Sequence, residues 1–313
     1  METRYLESFL RIAETRSISR AAESLGLSQP SLSQQLLRLE DEVGSKLFFR
    51  GARGVSLTEA GRMFQEHARQ LLRGTEQAIE DIRQLDAEPS GEVILAVPFS
   101  ISRIAGVRLV EAFLNHAPHV SFRLVEAMTG AIRGWLEQAK LDLGIMVDIG
   151  PFRNLSSRPL AREELYLVGP AGAFGSSGEC AEVPASAVAE LPLILPGMPH
   201  GLRQVIEHEA ARIGLTLSVR QDLDALRHLA PLVAAGHGYS LMPLAAVADE
   251  IATGQLSVGR VSGARFARRL LLVRNPASVV THASVRAEDL ILKVLRRLIE
   301  KGEWSAEAEP ALQ

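Results

Sequence analysis

The sequence predicts an α/β protein with an all-α head: an N-terminal winged helix-turn-helix, one long helix, then a C-terminal α/β domain. Three observations carry this reading. Apolar residues recur at three- and four-residue intervals on both sides of Gly26. A second run, from Thr58 to Pro89, steps its apolar residues by four and three alternately, as a heptad seam does. From Gly91 onward, short apolar strand patterns alternate with helical ones.

The composition fits such a chain. At 313 residues it is long enough for two or three domains, and 47% hydrophobic with 23% charged residues describes an ordinary soluble globular protein. The N-terminus, "METRYLESFLRIAETRS", breaks its apolar residues with Arg and Glu and so lacks the apolar core of a secretory signal. No run approaches the roughly 18 apolar residues of a membrane span. Cys180 is the only cysteine, which excludes an internal disulfide and a thiolate metal cluster. These features predict a cytoplasmic protein with no membrane partner. The net charge of −3 averages over domains. Residues 1–60 carry eight bases and eight acids, so charge alone neither supports nor excludes a nucleic-acid partner.

In the first segment Leu6, Phe9, Ala13, Ile18, Ala21, Ala22 and Leu25 have helical spacing, and the small Ala21–Ala22 pair suits close approach of a neighbouring helix. Gly26 fits the left-handed residue that ends one helix and turns the chain. Ser28 can cap the next helix, with Pro30 in its first turn where no backbone donor is needed. Leu32, Leu36, Leu39 and Val43 form one stripe to bury. Gln29, Pro30, Ser33 and Gln34 are left on the other face, and with Ser31 and Gln35 they make one short helix rich in uncharged hydrogen-bonding groups. Such a face either keeps a helix soluble or reads base edges. Gln pairs bidentately with adenine, and Ser bonds either a base or a phosphate. The coincidence of small pair, turn, cap and stripe favours a recognition helix for the DNA major groove.

The next stretch, "GSKLFFRGARGVSLTEAG", fits a wing: Leu47 and Phe48 pack inward while Arg50 and Arg53 sit on a turn, suited to phosphate or a narrow minor groove. The long helix then places Phe64, Ala68, Leu71, Thr75, Ala78, Ile82 and Leu85 on one seam. That seam needs a partner, either a second copy of the chain or the chain's own C-terminal domain.

Here the sequence resembles the LysR-type transcriptional regulators. The resemblance rests on "AAESLGLSQPSLSQQLLRLEDEVGSKLFFR" followed by "LTEAG". It implies a winged helix-turn-helix over 1–57, a linker and dimerisation helix over 58–89, and an effector-binding domain over 90–302. That domain would resemble periplasmic binding proteins, with one subdomain at about 91–161 and 267–302, a second at about 162–266, and ligand between them. It also implies that Gln29, Pro30, Ser33 and Gln34 enter the major groove and Arg53 the minor groove. Many relatives carry Arg where this chain has Gln34, so its base preference departs from theirs. The partners implied are an interrupted inverted repeat of double-stranded DNA, further copies of the chain as homodimer or homotetramer, a small-molecule effector, and RNA polymerase as a candidate. The segments "LPLILPGMPHGLRQ" and "REELYLVGP" resemble nitrogen-assimilation regulators.

In the C-terminal two-thirds, strands are expected at "GEVILAV", "VSFRLVEA", "LDLGIMV", "ELYLVGP", "LPLILP", "TLSVRQ", "YSLMP" and "RRLLLVRN". Helices near 103–116, 130–140, 201–214, 225–236 and 281–301 alternate with them, which predicts largely parallel sheets. Open α/β sheets bind ligands beyond strand carboxyl ends, where helix N-termini point. Three places fit: Ser100, Ile101 and Ser102 after the first strand, Met128 and Thr129 after the second, and His200 and Arg203 after "LPLILP". Together they favour a small carboxylate or other anion. Each has a bland alternative: Ser100 and Ser102 as caps, Arg203 as a solvated helix residue, Phe99 and Met128 as core.

Enzyme chemistry finds no foothold. His208–Glu209 lacks the second histidine of a zinc helix, since Arg212 stands there. No phosphate loop or dinucleotide fingerprint follows a strand, and neither cofactor nor metal is expected. The residues after Gly302 read as a poorly ordered tail over 303–313.

Overall fold

The computed structural model describes residues 2–51, 54–83, 88–174 and 180–312. Two compact units are present, Met1–Ala87 with Ala277–Thr281, and Glu88–Pro276 with His282–Gln313. Sequence reasoning had assigned 277–281 to the C-terminal domain.

The first unit contains α1 (Thr3–Thr15), α2 (Ile18–Ser24), α3 (Gln29–Val43), the strands β1 (Phe48–Gly51) and β2 (Gly54–Leu57), and α4 (Glu59–Arg83). Ser17 caps α2 by accepting from the Arg20 N–H, and Ser28 caps α3 by accepting from the Ser31 N–H. Gly26, at φ +66°, makes the turn between them. Phe9, Ile12, Ala21, Leu32, Leu36, Leu39 and Leu47 are fully or almost fully buried. The expected stripe stops at Leu39, because Val43 sits in the last turn of α3 and is exposed. Gly61 is required by contact: a Cβ there would collide with the Leu47 carbonyl oxygen. Glu40 is buried and accepts from the Leu47 N–H and the Lys46 ammonium, each at 2.9 Å.

The seam of α4 divides in two. Phe64 packs edge-on against Phe9 at 5.1 Å and Ala68 is fully buried, so both belong to this unit's own core. Leu71 is 47% exposed. The side chains of Ala78 and Ile82, and Leu85 altogether, lie outside the described residues.

In the second unit come β3 (Gly91–Val97), α5 (Phe99–His116), β4 (Val120–Glu126), α6 (Thr129–Glu137), β5 (Leu143–Val147) and the long β6 (Ser156–Pro170). They are followed by β7 (Ala181–Pro184), α7 (Ala185–Glu190), β8 (Leu193–Leu195), α8 (Gly201–Arg212), β9 (Val219–Asp222), α9 (Leu229–Ala234) and β10 (Ser240–Pro243). The chain ends with α10 (Ala248–Ala252), β11 (Leu256–Ser262), β12 (Ala267–Arg274), α11 (His282–Glu300) and β13 (Glu307–Ala308). The main sheet runs β4-β3-β5-β12-β6-β11-β7, and β8 and β9 form a small parallel sheet.

Only part of this sheet is parallel. β3 runs parallel to β4 and β5, and β11 to β7, but β12 is antiparallel to both neighbours and β10, β11 and β13 are antiparallel to β6. The physical reason is connectivity. β6 and β12 carry the chain across between the β3–β5 side and the β7–β11 side in opposite directions, which needs no helical crossover.

The tail is a second correction. Trp304, Ala311 and Leu312 are buried, β13 pairs with β6, and the Ala311 N–H bonds the Pro159 carbonyl at 3.0 Å. The aromatic and aliphatic residues of "EWSAEAEPALQ" cover apolar surface that α11 alone leaves open, and that burial offsets the cost of ordering the segment.

Candidate functional site

The exposed face of α3 is the first candidate site. Gln29, Pro30 and Gln34 are exposed, and Ser31 and Ser33 are half-buried. Gln29 is pre-oriented, its Oε1 accepting from the Ser19 hydroxyl at 3.0 Å. Gln35 is engaged internally, accepting from Ser8 at 2.6 Å. Arg50 lies in β1; its side chain, and Arg53 altogether, lie outside the described residues. β1 and β2 pair from Phe48↔Leu57 to Gly51↔Gly54.

Glu40 supports this head from below. Burial resists ionisation of its carboxyl, but the Lys46 ammonium and the backbone N–H groups of Leu47 and Phe48 outweigh burial and hold its pKa below the usual carboxylate value. The carboxylate thereby fixes the exit of α3 to the start of the hairpin.

The second candidate is a cavity of about 590 Å³ in the second unit. Phe99 and Ser100 open α5, Met128 and Thr129 precede and open α6, and His200 and Leu202 sit at the start of α8; all of these line it. Three helix N-termini therefore meet one space, each contributing positive potential. Apolar residues from the far side, Leu226, Leu229 and Met242 among them, make most of the remaining wall.

Not every predicted residue reaches the cavity. Ser100, Met128, Thr129 and His200 line it; Ile101 is fully buried in the core, and Ser102 and Arg203 do not border it. Arg203 is turned to Glu207 at 2.7 Å, Asp222 at 2.8 Å and the Pro196 carbonyl at 3.1 Å. His200 accepts the Leu202 N–H on Nδ1 at 3.1 Å, capping α8. Burial, aided by Arg268 and opposed by Asp224, pushes its pKa down to about 4, so it is a neutral acceptor near pH 7.

Arg227 and Arg268 both border the cavity, as do the carboxylates of Glu126 and Asp224; Arg268, which sequence reasoning read only as strand, is the buried guanidinium among them. Arg268 is 3% exposed and faces Glu163 in the register of β12 and β6. Its Nε and Nη2 donate to Glu163 Oε2 at 2.7 and 2.5 Å, and Nη2 also donates to Ser100 Oγ at 2.6 Å. Trp304 Nε1 donates to Glu163 Oε1 at 2.5 Å. Two ion pairs bridge elements around the cleft: Arg227–Glu126 at 3.5 Å on its wall, and Arg103–Glu250 at 2.7 Å. The available signal was a pair of charges, Glu163 and Arg268, inside segments otherwise suited to burial.

Two family models match the chain, one over each unit. The family described as "Bacterial regulatory helix-turn-helix protein, lysR family" matches residues 3–62, and "LysR substrate binding domain" matches 86–296. The chain is 28% identical over 298 residues to the nitrogen assimilation regulatory protein nac of Klebsiella aerogenes, covering 95% of this chain and 96% of that one. It is 32% identical over 246 residues to the HTH-type transcriptional regulator BudR of Raoultella terrigena, covering 78% and 84%. Among solved structures, a full-length OxyR variant from Pseudomonas aeruginosa is similar with TM-score 0.66 and 22% identity, covering 95% of each chain. Full-length CbnR complexed with its target DNA is similar with TM-score 0.56 and 22% identity, covering 94% of this chain and all of that one.

Proposed function

The chain belongs to the LysR family of DNA-binding transcriptional regulators, and from that premise we propose how its two candidate sites work. Gln29, Pro30, Ser31, Ser33 and Gln34 read bases in the major groove, and Arg50 and Arg53 hold the adjacent backbone or minor groove. Two copies, paired along α4 beyond Ala68, present two such heads to an interrupted inverted repeat, with a tetramer as the larger assembly. The solved complex of CbnR with its target DNA supports this reading of the head. DNA as partner places the work in the cytoplasm; among the described residues, no helix is long and apolar enough to cross a membrane.

The cleft takes a small anionic effector, a carboxylate above all. The observation that carries this is the meeting of three helix N-termini with the Arg268 guanidinium in one largely apolar cavity. Such a ligand controls DNA binding only insofar as it binds two arrangements of the chain unequally.

A gel-shift series at rising salt tests the head. Gln34→Ala changes sequence preference by about 1–3 kcal/mol per base pair read, whereas Arg53→Ala weakens binding to all sequences and reduces the salt slope by about one. If both variants bind a cognate promoter as the wild type does, this docking is wrong.

A further inference from the structure

We propose that Trp304, delivered by the C-terminal segment, is a positioning residue for the anion site: through Glu163 it fixes the Arg268 guanidinium in the orientation that serves the cavity. The inference rests on the anionic reading of the cleft given above and adds to it a residue that touches no ligand.

Arg268 has five N–H donors in a planar fork. Three are engaged: Nε and one Nη2 hydrogen with Glu163 Oε2, and the other Nη2 hydrogen with Ser100 Oγ. The two Nη1 donors have no partner among the described residues, and Arg268 borders the cavity. Ser100 accepts from Arg268 through its oxygen, which leaves its own O–H free to donate.

A guanidinium beside a carboxylate ordinarily settles into a bidentate fork, one N–H to each oxygen. Here the two oxygens are divided. Glu163 Oε1 accepts from the Trp304 indole N–H at 2.5 Å while both Arg268 donors converge on Oε2, so the indole fixes the rotation of the carboxylate that Arg268 follows. Both carboxylate and guanidinium are nearly inaccessible, at 1% and 4% side-chain exposure, so water cannot substitute for a missing donor. Without the indole N–H, Glu163 Oε1 would lose its fixed donor and the carboxylate would be free to turn. Arg268 would turn with it, and its Nη1 donors would no longer be held in one orientation at the cavity.

The segment that supplies Trp304 is built for the task. Gly302, at φ +70°, turns the chain out of α11, and the Trp304 N–H bonds the Leu298 carbonyl at 3.0 Å. Trp304 is 1% exposed, so its ring fills core volume while its one polar atom meets Glu163.

The test uses the full-length protein with benzoate as probe and benzamide as its neutral match, measured by calorimetry. Trp304→Phe removes the N–H, and replacing Trp304 with benzothienylalanine removes it with almost no change of shape. Both variants are expected to lose roughly tenfold in benzoate affinity while benzamide binding holds, and the second remains informative if the first is unstable. A parallel loss for both probes, or no loss, overturns the proposal. Hydrogen exchange of the Arg268 Nε–H in ligand-free protein decides independently of any probe: it accelerates about tenfold in the benzothienylalanine variant if the indole orders the fork, and an unchanged rate overturns the proposal. A wild-type protein that binds neither benzoate nor any other carboxylate counts against the anionic cleft, whatever the exchange result.

Discussion

Glu40 and Glu163 are both buried glutamates that accept from several donors, yet they do different work. Glu40 closes a local clip, taking Lys46 and Leu47 six and seven residues along the chain. Glu163 gathers Arg268 and Trp304 from 105 and 141 residues away. The local clip fixes how one helix leads into one hairpin. The distant network ties both crossing strands to the C-terminal segment and to the first turn of α5. The contrast shows that burial of a carboxylate says little about role until its partners are known.

The strongest break of this comparison is a pair of alanine variants. Glu163→Ala leaves Arg268 buried without a counter-charge and Trp304 without an acceptor, and is expected to cost about 3–5 kcal/mol. Glu40→Ala leaves the Leu47 N–H unpaired while the exposed Lys46 returns to water, at about 1–3 kcal/mol. Hydrogen exchange separates the two: the first should accelerate amides of β6 and β12, the second those of α3 and the hairpin. If Glu40→Ala proves the costlier, the long-range network has been overvalued.

The same contrast explains what could be read without coordinates. The head was legible because its signals are local: the Ala21–Ala22 pair, Gly26, the Ser28 cap and the Leu32–Leu36–Leu39 stripe fall within 19 residues and sit where expected. In the second unit the helix starts at Ser100, Thr129 and His200 were also found by local pattern. Arg268 was missed because nothing in "RRLLLVRN" says which arginine turns inward; only the pairing of Arg268 with Glu163 decides it. The tail was misread because its polar spacing hides Trp304, whose acceptor lies 141 residues upstream. Arg203 was misplaced for the converse reason: a helix-start arginine looks free until Asp222, at the end of β9, claims it.

Acid sharpens the comparison next, since the two units carry titrating groups of different kinds. His200 folds with its pKa lowered from 6.5 to about 4. The unfolded chain therefore binds the proton first, and stability falls as pH drops from about 6.5 to about 4, by roughly 3 kcal/mol across the window. Glu40 behaves as a lowered carboxylate: its contribution is complete above the unfolded value of 4.5 and fades as pH falls through the lower folded value. The second unit should thus weaken before the first. His200→Asn keeps a capping oxygen and should flatten the loss between pH 6.5 and 4, read by urea unfolding of the two units with separate probes. Should the variant keep the wild-type pH profile, His200 does not carry it.

The smallest effect separates Arg203 from the cavity. Its partners Glu207 and Asp222 are 42% and 64% exposed, so the ion pairs are largely screened even though Arg203 itself is 12% exposed. Arg203→Ala is expected to cost no more than about 1 kcal/mol in unfolding experiments. Because Arg203 does not border the cavity, benzoate stabilisation should persist in this variant, whereas Ser100→Ala removes a hydroxyl that both holds Arg268 and faces the ligand space. A thermal-shift titration with benzoate compares them directly, since binding at free ligand concentration L stabilises the fold by RT ln(1 + L/Kd) and a weaker site raises the transition less. Equal losses in both variants would return Arg203 to the site and count against Arg268 as the cation that defines it.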